Sequence, residues 1–179
     1  MEEFKMKTKR KEVIVFDKLA AEKHLKTLLK CYKIKVVKYR TTSSGRANCK
    51  KKEIQIPHPT NADRFAVCMH EVKHILDGNV GKRFEQEFAC DLFARKQMVL
   101  LKMGGIEEWD RRMAWHCLSR IAMAVNRGLK ISSIPNSIKK WFKEINFKDW
   151  EENKVFVRYC PESLKGYVIE LTDKIKTIN

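Results

Sequence analysis

Two histidines four residues apart with a glutamate beside the first, His70-Glu71-Val72-Lys73-His74, are the residues of this chain best suited to chemistry. On a helix, positions i and i+4 lie one above the other, so both imidazoles can converge on one metal ion. Glu71 can then reach a water held on an open coordination position and take its proton. The surroundings favour a helix: Ala66, Val67, Cys68, Met69, Val72, Ile75 and Leu76 are apolar or small, and Gly78 follows as a stop. The competing interpretation is a core helix with two half-buried histidines and a surface glutamate.

A catalytic zinc takes three protein ligands and leaves one position to water, so Zn2+ as cofactor requires a third donor from elsewhere in the chain. Glu87 is the candidate. It lies in Phe84-Glu85-Gln86-Glu87-Phe88-Ala89-Cys90-Asp91-Leu92-Phe93-Ala94, whose apolar positions 84, 88, 92 and 93 predict a second amphipathic helix, although Lys96 interrupts the pattern. Asp91 falls one turn after Glu87 on the same face. There it can accept the second ring N–H of a metal-bound histidine and fix that ring's orientation. The polar stretch 79–83 is a loop that would fold the second helix back onto the first.

These residues resemble the ImmA/IrrE family of metallopeptidases. The resemblance runs through the strand Glu53-Ile54-Gln55-Ile56-Pro57, the helix start Asn61-Ala62-Asp63-Arg64-Phe65, the histidine pair, and Glu87 with Asp91, Phe93 and Ala94. It covers about residues 20 to 100. Lys73 stands where the family often has glycine, which would place a long charged side chain beside the cleft, and Cys90 replaces a usual small residue. The resemblance implies a zinc-dependent endopeptidase acting on a protein substrate, often a DNA-binding helix-turn-helix repressor. It also implies an edge strand beside the active-site helix that holds substrate in extended form.

Composition bounds the reading. The 179 residues suit one domain with a small appendage. No run approaches the ~18 consecutive apolar residues of a membrane span, and the first residues lack the apolar stretch of a signal peptide, so the expected location is cytoplasmic, with no membrane partner. Six scattered cysteines without a Cys-x-x-Cys pair suit reduced, mostly buried thiols. Charge is uneven. Residues 1–60 carry 17 Lys or Arg against 6 Asp or Glu, residues 61–110 carry 7 against 9, and the remainder 14 against 7. Basic flanks around a nearly neutral centre attract polyanions, nucleic acid among them; a solvated lysine-rich surface is the plainer explanation.

The elements follow from periodicity and caps. Residues 1–16 read as a basic arm, with Val13 to Phe16 a short strand or apolar clip. Asp17 caps a helix over Lys18–Tyr32, with Leu19, Ala20, His24, Leu25, Leu28 and Leu29 on its apolar stripe. Strands are expected over 34–39 and 52–57, paired antiparallel across a turn at Thr41 to Arg46. After the two metal-site helices, the second ending at Gly104-Gly105, a third helix runs from Glu107 to Arg127. Its stripe is Met113, Ala114, Cys117, Ile121, Ala124 and Val125, and Gly128 lies past its end. Residues 129–179 form an extension: a helix over 137–145 and strands over 155–159 and 166–171. The expected fold is therefore α+β, a helical zinc-peptidase core over 17–128 packed with a small antiparallel sheet.

The other histidines have structural readings first. His24 belongs to a core boundary, His58 to a loop that can approach the metal, and His116 to the border of the third helix's stripe. His116, Tyr39 and Tyr32 are also candidates to stabilise an oxyanion. Two further functions fit the same residues: a basic zinc-containing module that binds nucleic acid or a partner without proteolysis, and a protease acting on DNA-bound proteins. The latter resembles SprT-like enzymes, but these usually take a third histidine, for which His116 is the candidate.

Overall fold

The computed structural model describes residues 16–78 and 80–144, together with Leu171, Lys174, Ile175 and Thr177. The expected basic arm up to residue 15, Cys160 and the strands at 155–159 and 166–170 lie outside the described residues. Leu171, expected to end a strand, is helical and buried.

Among the described residues the fold is α+β, with five α-helices and one three-stranded mixed sheet. Helix α1 spans Lys18–Tyr32, and Asp17 caps it by accepting from the Ala20 N–H at 2.9 Å. Only Ala21 and Leu25 are buried on it. Leu19, assigned to the apolar stripe from spacing, is 78% exposed, and among the described residues no element covers that end of the helix face. His24 binds the Gln97 side chain at 2.7 Å, a structural contact as expected.

The sheet departs from the antiparallel pairing. Strand β1 (Lys35–Arg40) runs parallel to β3 (Glu53–Pro57), and a three-residue strand β2 (Arg46–Asn48), which begins where the expected turn ends, pairs antiparallel with the other edge of β3. The cause is local. β2 and β3 close a tight hairpin, with Lys52 in the left-handed region and Asn48 Oδ1 accepting from the Lys51 N–H. With that edge of β3 taken, β1 is left the opposite edge, and its direction follows. Ile54 and Ile56 alternate inward from β3 and are fully buried, which makes β3 the central strand.

Helix α2 (Ala62–Asp77) is the spine of the molecule. Asn61 caps it at the Arg64 N–H, Gly78 ends it with φ near 68°, and every residue from Phe65 to Val72 is buried. Helix α3 (Arg83–Leu100) packs along α2, and α4 (Ile106–Asn126) packs along α3. Helix α5 (Asn136–Glu144) follows a single 3-10 turn at Ile131–Ser133. Two apolar clusters result. One joins α1, the sheet, α2 and the C-terminal part of α3. The other joins Phe84 and Phe88 of α3 to Met113, Cys117, Leu118 and Ile121 of α4 and to Ile134, Ile138 and Phe142. Between them, α2, α3 and α4 leave a cleft. No helix among the described residues is long and apolar enough to cross a membrane.

Candidate metal centre

His70 and His74 project from α2 into this cleft, where their Nε2 atoms lie 3.0 Å apart. Glu87 enters from α3, its Oε2 3.1 Å from His70 Nε2 and 3.5 Å from His74 Nε2. A tetrahedral zinc with ligand bonds of about 2.0–2.1 Å spaces its donor atoms about 3.3 Å apart. The three donors stand at that spacing. The Nδ1–H of His70 donates to Asp91 Oδ1 at 2.6 Å, which leaves Nε2 to face the common point. All four side chains are at least half-enclosed by protein, and Glu87 and Asp91 are only 2% exposed.

A second grouping overlaps the first. His70, His74 and Cys90 form a buried set whose ligand atoms lie within 4.8 Å of one another, and it can hold a metal ion. Glu87 is the better third donor: its Oε2 stands 3.1 and 3.5 Å from the two imidazole nitrogens and it is already an anion, whereas burial and the neighbouring Asp91 and Glu87 charges push the Cys90 thiol well above its ordinary pKa.

The electrostatics suit a cation. Burial opposes a proton on His70, but the facing Asp91 and Glu87 carboxylates outweigh it and raise the imidazole to about 10. Burial likewise pushes Glu87 up, yet hydrogen bonds with His70 and His74 hold it far below the usual carboxylate range. Asp91, fully enclosed, is held at about 2 by the imidazoles of His70 and His116. Imidazoles and carboxylates that converge in this way form a set of groups that can hold a metal ion.

Glu71 is buried beside His70, and that burial raises its pKa although His70 and His74 partly offset the effect. Its side chain lies under Gly45, in the connection from β1 to β2. A Cβ on Gly45 would overlap Glu71 Cγ and stand 2.7 Å from its Cδ. Two arginines anchor this connection: Arg64 donates to the Thr41 carbonyl at 2.7 Å and Arg112 to the Ser43 carbonyl at 3.3 Å. Arg112 is itself ion-paired with Asp63.

His116 reaches the centre from α4. Its Nδ1 is 3.1 Å from Asp91 Oδ2 and its Nε2 3.7 Å from Glu87 Oε2, so Asp91 spans His70 and His116 with one oxygen each. Of the oxyanion candidates, only His116 lies in the cleft. Tyr39 instead stacks on His58, with ring centroids 4.0 Å apart, which takes His58 away from the metal centre; Tyr32 is exposed. Lys73, expected beside the cleft, donates to Asp77 at 2.7 Å and lies over the Phe93 ring, away from the cleft lining. Sequence spacing carried no sign of Gly45, Trp109, Arg112 or Trp115 at the site, since each arrives from an element distant in the chain. The cleft encloses about 640 Å³, walled by residues 43–47 on one side and by α4 on the other.

Replacing Asp91 by Asn removes the acceptor charge that both imidazoles face. Affinity for zinc, measured by competition with a chromophoric chelator, is expected to fall about 10- to 100-fold. Unchanged affinity would mean that Asp91 does not orient His70. Comparison of the chain with known protein families, with curated proteins and with solved structures finds no match.

Proposed function

We propose that the chain is a zinc-dependent endopeptidase of the kind the ImmA/IrrE resemblance implies, with His70, His74 and Glu87 as ligands and Glu71 as general base. The observation that carries this reading is the spacing of the three donors, 3.0, 3.1 and 3.5 Å, beside a buried carboxylate. Bound zinc would supply Lewis acidity, lowering the pKa of a coordinated water and polarising the scissile carbonyl. Glu71 takes the water's proton and later returns it to the leaving amine. Asp91 keeps the His70 ring in place, and His116 stands where it can donate to negative charge developing on the substrate carbonyl. Strand β2, at the edge of the sheet and lining the cleft, is suited to pair with an extended peptide.

By resemblance the substrate is a DNA-binding regulator. The alternative module that only binds nucleic acid draws support from the exposed Lys35, Lys38, Arg46, Lys50, Lys51 and Lys52 around the sheet. Metal analysis of the full chain, followed by hydrolysis of an unstructured protein such as casein with and without a chelator, tests the first reading. A chain that takes up about one zinc and cleaves only when loaded supports it. A loaded chain that cleaves nothing, yet binds DNA in a salt-dependent and chelator-insensitive way, favours the module.

Gly45 offers a sharper check. Gly45→Ala must push the Glu71 carboxylate aside, and displacement of a catalytic group by about 1 Å costs on the order of 100-fold in rate. The variant is expected to keep its zinc and lose hydrolysis to that extent. Wild-type turnover would show that Glu71 does not need the position Gly45 allows.

A further inference from the structure

Four arginines line the cleft, and they are not equivalent. Arg83 lies 2.6 Å from Glu87 Oε1, and Arg112 is held by Asp63 and the Ser43 carbonyl. Arg46 is exposed on β2, so water satisfies it. Arg120 differs from all three. Its Nε is buried and meets no hydrogen-bond partner, and no carboxylate pairs with it among the described residues.

Burial of Nε holds one edge of the guanidinium inside the protein and leaves the terminal nitrogens of this half-buried residue as the part open to a ligand in the cleft. Those two nitrogens match the two oxygens of a carboxylate. Position adds to this. Arg120 follows His116 by four residues on α4, so it shares the cleft face and lies about 6 Å farther along the helix. An extended peptide advances about 3.3 Å per residue, which puts Arg120 one or two residues from the bond presented to the metal centre.

We infer that Arg120 docks a carboxylate of the substrate, so that the cleft selects peptides carrying an acidic group one or two residues from the scissile bond. This rests on the cleft being the peptide site proposed above. The carboxylate has two sources, an Asp or Glu side chain or a free C-terminus, and the second would make the enzyme trim chain ends.

The test uses binding rather than turnover. The full chain carrying Glu71→Gln is loaded with Zn2+ and titrated into fluorescein-labelled, alanine-rich octapeptides, read by anisotropy. One set places a single Glu or Gln at successive positions with an amidated C-terminus, and the other has no Glu and a free C-terminus. Tighter binding by about tenfold is expected for one Glu position or for the free acid, the size of a single charge-assisted hydrogen bond. The added substitution Arg120→Gln should abolish that preference, Arg120→Lys should retain part of it, and Arg120→Glu should favour a Lys peptide, with thermal unfolding confirming that each variant is folded. Equal binding of Glu, Gln and free-acid peptides, or a preference that survives Arg120→Gln, overturns the inference. An Arg120-dependent preference in a chain whose wild type never cleaves would sink the peptidase reading and leave the carboxylate site standing.

Discussion

Replacing Glu87 by Ala is expected to empty the metal centre while the fold survives. On the proposed reading Glu87 would contribute the one anionic donor; it lies 3.1 and 3.5 Å from the two imidazole nitrogens and is 2% exposed. Loss of a group that merely orients a ligand costs about 10- to 100-fold in metal affinity, and loss of a ligand should exceed that. The purified wild type should carry about one zinc per chain, and the variant close to none after gel filtration. The helix should persist, since alanine is a strong helix former and the apolar contacts of Phe84 and Phe88 remain. The buried His70–His74–Cys90 group gives this experiment a second arm. If Glu87→Ala keeps its zinc and Cys90→Ala loses it, the third donor is the thiol, and the assignment of Glu87 as a ligand is overturned.

Glu71→Gln is expected to do the reverse: retain zinc and lose hydrolysis. The substitution keeps the shape under Gly45 and removes only the proton acceptor. General base catalysis contributes about 10²- to 10⁴-fold, so turnover of a peptide substrate should fall by that factor with metal content unchanged. Residual hydrolysis near the wild-type rate would transfer the proton role to another group, for which His116, in the same cleft, is the candidate. Read together, the two variants separate metal binding from chemistry.

The parts that sequence made legible share a cause. His70, Glu71, His74, Glu87 and Asp91 all lie on two consecutive helices, where spacing alone fixes which side chains share a face. The helices carry plain punctuation: Asp17 and Asn61 as caps, Gly78 and Gly128 just past ends, with apolar residues at helical spacing between; α3 instead stops at Leu100, before the expected Gly104-Gly105, and Gly105 opens α4. What escaped is tertiary. A three-residue strand has no periodicity to read, so nothing in the sequence marks β2 or, with it, the parallel pairing of β1 with β3. Nothing in the position of Gly45 announces its contact with Glu71, and nothing in that of His116 announces Asp91, because each contact depends on how separate elements dock. Leu19 and Lys73 fail in the opposite direction: helical spacing gave their face correctly enough, but not whether another element would cover it.

The donors of the centre occupy a single helical hairpin, whereas Gly45 and His116 reach it from before and after. Bringing α2 and α3 together closes only a short loop, at small entropic cost, and such local contacts form early in folding. On the proposed reading, capture of a cation would therefore require less of the chain than hydrolysis: a partly folded molecule would be loaded yet inert until the β1–β2 connection and α4 had docked.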